Sequence, residues 1–161
     1  MDPLSREILR EINLDEAVPA PRPTKPPVDH WTTSVFLERA AYLRKMAKFG
    51  DGSASEVLKE YPGHAATLLF RARSGDASMH ESRAQVMLVL SGNATLVTGG
   101  RLAGHCTTSA GETRSSSIDG GVLQELRSGD VVHIPAATPH QLLVACDKSI
   151  ACLILKIQET A

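Results

Sequence analysis

The spacing of apolar residues changes character near Gly63. Upstream it is helical. Leu4, Ile8, Ile12 and Leu14 stand among charged residues at roughly one-turn intervals, which predicts a short amphipathic helix ending before Pro19. The prolines from Pro19 to Pro27 remove backbone donors from that stretch, so it is read as an extended arm. Thr32 to Phe49 is the strongest helix signal. Val35, Leu37, Ala40, Ala41, Leu43 and Ala47 form its apolar stripe, Thr33 or Ser34 caps its start, and Gly50 and Gly52 stop it. A further short helical piece is expected over Ser53 to Tyr61, closed by Pro62-Gly63.

Downstream of Gly63 the apolar positions come in short runs suited to strands. Such runs occupy Ala66–Ala72, Gln85–Leu90, Ala94–Thr98, Val122–Leu126, Asp130–Ile134, Gln141–Ala145 and Ile150–Ile157. Ser91-Gly92-Asn93 reads as a hairpin turn between the second and third of them. Arg101 to Gly121 is rich in Gly, Ser and Thr and is read as a long loop with room for edge strands. Two roles stand open for it, a lid over a binding site or a mobile surface loop. Many short strands punctuated by Gly and Pro predict an all-β sandwich or barrel.

Composition narrows the function classes. The chain has 161 residues, enough for one ordinary domain, and its 42% hydrophobic content includes only 4% aromatics, so the core must be aliphatic. A net charge of −1 leaves no electrostatic footprint for nucleic acid or an anionic membrane surface. No apolar run approaches the ~18–20 residues that span a bilayer. Cys106, Cys146 and Cys152 are odd in number and widely spaced, which argues against a disulfide framework and for a reducing compartment. The N-terminus lacks the basic start and apolar stretch of a signal peptide, so a cytoplasmic protein is expected. No Gly-x-Ser-x-Gly elbow or phosphate-cradling glycine loop occurs.

Two stretches carry candidate chemistry. One runs Ser78-Met79-His80-Glu81-Ser82-Arg83-Ala84-Gln85 and is followed by Gly92; the other runs from Gly129 through Pro135 to His140. Together they resemble the two motifs of the cupin superfamily, over roughly Ala65 to Ile157. The family's first motif carries two histidines one residue apart, then Glu, then Gly; its second carries Gly, Pro and His. The second motif keeps the family spacing here, with Ala137 in place of the usual Gly and Val144 in place of a late Asn. The first is degraded. His80 matches the second histidine, Ser78 stands in place of the first, Gln85 replaces the Glu, and Gly92 falls on the Gly. Gly75 is a displaced substitute for the family's opening glycine.

The resemblance implies a double-stranded β-helix, a jelly-roll barrel, over residues 63–161, preceded by an N-terminal extension over residues 1–62. It implies metal ligands at His80, Gln85 and His140, holding Zn, Ni, Mn or Fe. Two neutral imidazoles and a neutral amide leave the ion its full double charge, which suits a Lewis acid better than an oxygen activator. The implied activity is a lyase, isomerase or oxidation step on a small polar organic molecule, and the implied assembly is a homodimer formed through a sheet face. A second reading keeps the barrel without the metal. In it His80, Gln85 and His140 are hydrogen-bonded core or rim groups, and Met87, Val89, Leu142 and Val144 line an apolar site for a small ligand, or the barrel is structural. His133 serves as an acid/base group if its strand face is inward, and as a structural residue if not. Glu81, Arg83, Glu112 and Arg114 read as solvated charges, and His105-Cys106 as part of the long loop.

Overall fold

The computed structural model describes residues 28–159. The expected Leu4–Leu14 helix and Pro19–Pro27 arm lie outside the described residues. One long strand organises the rest. β4 (Arg83–Thr98) belongs to two sheets. Its first half pairs with β12 (Ile150–Gln158) and β10 (Val131–Ile134), and β12 continues through β2 (His64–Arg71) to β1 (Ser53–Tyr61). Its second half pairs with β9 (Val122–Arg127) and β11 (His140–Leu143). From β11 that sheet continues through β3 (Ala77–His80) and β7 (Glu112–Ser115) to β6 (Thr107–Ser109). Every pairing is antiparallel, and the curled sheet is the double-stranded β-helix expected from the motifs. A separate ribbon joins β5 (Arg101–Ala103) to β8 (Ser117–Asp119).

The expected hairpin at Ser91-Gly92-Asn93 is instead a bend within continuous β4. Ala151 pairs with Ser91 while Cys152 pairs with Val89, so β4 carries one extra residue there. Such a bulge reverses the side-chain alternation. Met87 and Val89 before it, and Ala94 and Leu96 after it, therefore all enter the same core. Gly92 holds φ 79° at this corner, against the backbone of Ser149, where a side chain has no room.

The helical piece expected over Ser53 to Tyr61 is strand β1. Ala54 and Leu58 pack outward against a helix, while Ser55 faces the barrel interior. The helix α1 (Thr33–Ala47) is capped by Thr32, one residue before the expected caps, whose hydroxyl accepts from the Val35 N–H at 3.4 Å. Only part of its expected stripe is covered. Ala40, Leu43 and Ala47 are buried on Leu68, Phe70 and Ala151, whereas Val35, Leu37 and Ala41 stay exposed. β2 is thus sandwiched: Leu68 and Phe70 meet the helix, and Thr67, Leu69 and Arg71 face the barrel interior. Cys152 is buried in the inner core, where desolvation pushes its thiol up to about 12, while Cys146 is exposed. Among the described residues no helix is long and apolar enough to cross a membrane.

Candidate functional site

Strand register gathers the polar residues at one end of the barrel interior. Ser78 and His80 lie two apart on β3 and share a face. On one side Ser78 lies opposite His140 of β11; on the other, Ser78 and His80 lie opposite Arg114 and Glu112 of β7. Gln85 enters from β4, where it pairs with Ile134 and Lys156. His80, Gln85 and His140 are 7%, 4% and 8% exposed, and all three line a cavity of about 180 Å³.

The hydrogen bonds fix how His140 is presented. Its Nδ1 lies 3.0 Å from the Thr138 carbonyl, which only accepts, so Nδ1 carries the proton. Nε2 then offers its lone pair to the Ser78 hydroxyl at 3.2 Å and to the Gln85 amide nitrogen at 3.4 Å. The His80 ring stacks beside it, with centroids 5.8 Å apart and planes 28° off parallel. Burial holds the His80 imidazole down to about 4, against the opposing pull of Glu112. Burial also lowers His140, against the Thr138 carbonyl. Both rings are neutral near pH 7, and a ligand at His140 Nε2 would displace its contacts with Ser78 and Gln85.

The structure brings together the three residues expected as ligands and adds two that were read as solvated charges. Glu112 lines the cavity with Oε1 4.0 Å from His80 Nε2, and Arg114 Nε holds that same oxygen at 3.0 Å. Both arrive because the 101–121 stretch is not a plain loop: it contributes β6 and β7 to the main sheet. No sequence signal marked them, since β7 lacks apolar alternation. His133 is exposed, outside the cavity, opposite Val86 on β4. Its inward face, on which an acid/base role depended, is not the one observed. Of the apolar residues expected to line the cavity, Met87 and Leu142 do so, whereas Val89 and Val144 are core residues. His105 and Cys106 are exposed in the connection between β5 and β6. Among the described residues no three His, Cys, Asp or Glu side chains group closely enough to hold a metal ion.

Solved structures share this architecture. A protein with a double-stranded beta-helix domain from Klebsiella pneumoniae superposes with a TM-score of 0.55 at 12% identity, covering 83% of this chain and 93% of its own. The TT1209 protein of Thermus thermophilus gives a TM-score of 0.50 at 14% identity, covering 73% and 95%. A cupin superfamily protein from Desulfitobacterium hafniense gives 0.48 at 15% identity, covering 66% and 78%. At these identities the likeness is one of fold. No family model matches the chain, and no curated protein matches it in sequence.

Proposed function

We propose that the barrel cavity is a small-molecule site in which His80, Gln85 and His140 hold a divalent cation and a small polar organic molecule binds beside it. One observation carries this reading. A neutral imidazole, locked by the Thr138 carbonyl, aims its lone pair at the Gln85 amide, with a second neutral imidazole stacked alongside. A backbone carbonyl on the far nitrogen is the arrangement that orients metal-binding histidines.

The donor chemistry fits a divalent ion. Two imidazole nitrogens are available, and a half-turn of the Gln85 amide brings its oxygen where its nitrogen now stands. Held by His80, Gln85 and His140, a divalent ion would supply Lewis-acid polarisation of a carbonyl or hydroxyl. The protein supplies the rest. The Thr138 carbonyl fixes the His140 ring, Glu112 is held by Arg114 as an acceptor for a ligand proton, and Met87, Leu142 and Ile154 give the cavity an apolar wall. A second reading, a metal-free binding barrel, is favoured by the hydrogen bonding itself. Among the described residues every buried side-chain nitrogen or oxygen already has a partner.

Elemental mass spectrometry on untagged protein, beside His140→Ala and Gln85→Glu, separates the two. The expected result is near-stoichiometric metal in the parent and its loss in His140→Ala. Gln85→Glu should bind the same ion more tightly, because a carboxylate neutralises charge that an amide leaves in place. Absence of metal in parent and Gln85→Glu after reconstitution with Zn, Ni, Mn and Fe, with both folded by circular dichroism, overturns the metal site and leaves the binding barrel.

A further inference from the structure

The cavity also holds an arginine that the arrangement above does not use. Arg71 ends β2 with its side chain on the barrel face. It is half-buried, and desolvation lowers its pKa. Asp51 and Asp76 favour its charge through space, yet among the described residues Arg71 forms no ion pair or side-chain hydrogen bond. Arg39, Arg101 and Arg114 are each paired with a carboxylate. A guanidinium partly withdrawn from water with no carboxylate in hydrogen-bond contact is costly, and a bound anion lowers that cost.

Gly75 explains how Arg71 is placed. A Cβ there would fall 2.5 Å from Cζ and 2.9 Å from Nη2 of Arg71, so the guanidinium lies against a bare backbone. That backbone is itself fixed. Gly75 N–H donates to the Leu142 carbonyl at 3.1 Å, and the Gly75 carbonyl accepts from the Gln141 amide at 2.9 Å. The fork therefore rests on a rigid platform at the cavity wall.

Resting on the reading of this cavity as a small-molecule site, we propose that its ligand is a small organic monocarboxylate whose carboxylate is taken by the Arg71 guanidinium. The side-chain charges of the metal-free cavity match a monoanion. Before any cation binds, Arg71, Arg114 and Lys156 line the cavity against Asp76 and Glu112, an excess of one positive side chain. In the metal-free cavity a phosphate dianion overshoots that excess beside two carboxylates. A planar carboxylate suits a guanidinium fork. The cavity, at about 180 Å³, lies below the ~300 Å³ where ordinary small-molecule pockets begin, so the acid is short.

Calorimetric titration tests this with pyruvate and glycolate, their neutral amides pyruvamide and glycolamide, and inorganic phosphate. Each is run with chelator and with the bound metal, on parent, Arg71→Met and Gly75→Ala. Gly75→Ala displaces the guanidinium while keeping its charge. The expected result is carboxylate binding to the parent in both conditions, weakened about tenfold or more in both variants. The amides and phosphate should bind more weakly than the acids. Unchanged metal content and circular dichroism in the variants show that the histidine end and the fold are intact. Equal carboxylate affinity in parent and Arg71→Met overturns the inference, as does phosphate binding tighter than the acids, or no acid binding to the parent. In each case retained metal leaves the proposed function standing, whereas loss of both metal and small-molecule binding removes it as well.

Discussion

Ala137 holds a left-handed backbone at φ 55°, in the turn between β10 and β11 that delivers His140. Its N–H donates to the His80 carbonyl at 2.7 Å, so this strained turn ties the two histidine-bearing segments together. For a residue with a Cβ that conformation costs about 1–2 kcal/mol. Glycine removes the strain, offset by roughly 0.4–1 kcal/mol of extra unfolded-state freedom. Ala137→Gly should therefore raise Tm by about 1–4 °C in a thermal melt. A lower Tm would mean that the turn is set by something other than this one dihedral. The same position shows what a sequence makes legible at this scale. The family resemblance singled out His80, Gln85 and His140, and the strand register brings all three to one cavity. Glu112 escaped, because it reaches the cavity only through the pairing of β7 with β3. That pairing lies in a stretch with no hydrophobic alternation to reveal which face turns inward. His133 failed for a related reason: its alternation was visible, but alternation alone does not say which face is the inner one.

Single strands show where local pattern yields to the sheet. Ser53 to Tyr61 contains Glu, Leu and Lys, which favour helices, yet it pairs along β2 as an edge strand. Pairing supplies it with a backbone ladder, and α1 covers Ala54 and Leu58, so tertiary contacts outweigh propensity. β4 makes the opposite point. Gly92 was correctly marked as special, but its role is to turn a strand rather than to end one. Its φ of 79° and its approach to the Ser149 backbone both exclude a side chain. Gly92→Ala should lose at least about 2 kcal/mol of stability in urea unfolding, from left-handed strain plus the displaced backbone. A loss within the error of the measurement would mean that the corner opens freely and that β4 is not held continuous by this contact.

At the scale of the molecule, the helix and the cavity are joined through strands that have both faces occupied. Leu68, Phe70 and Ala151 support α1, and their neighbours Leu69, Arg71 and Cys152 face the barrel interior. The patch under α1 is closed to a second subunit by the chain itself, which removes that part of the sheet from any dimer interface. The sequence revealed the helix but not its seat, since the stripe it displayed was wider than the Ala40, Leu43 and Ala47 contact that is buried. If the helix is part of the barrel's cooperative unit, its loss should be felt everywhere. Trp31, the single tryptophan, sits just before α1 with its ring 6.4 Å from Phe36 and so reports on the helix, while far-UV circular dichroism is dominated by strands. In the parent, urea transitions followed by the two signals should coincide. Leu43 is 3% exposed against Leu68 and its neighbours, so Leu43→Ala should remove about 2–4 kcal/mol and move both transitions down together. Fluorescence falling first, with the circular dichroism transition unmoved, would instead make α1 a detachable cover. The outer contacts of β2 would then not be needed to hold Arg71 against its glycine platform.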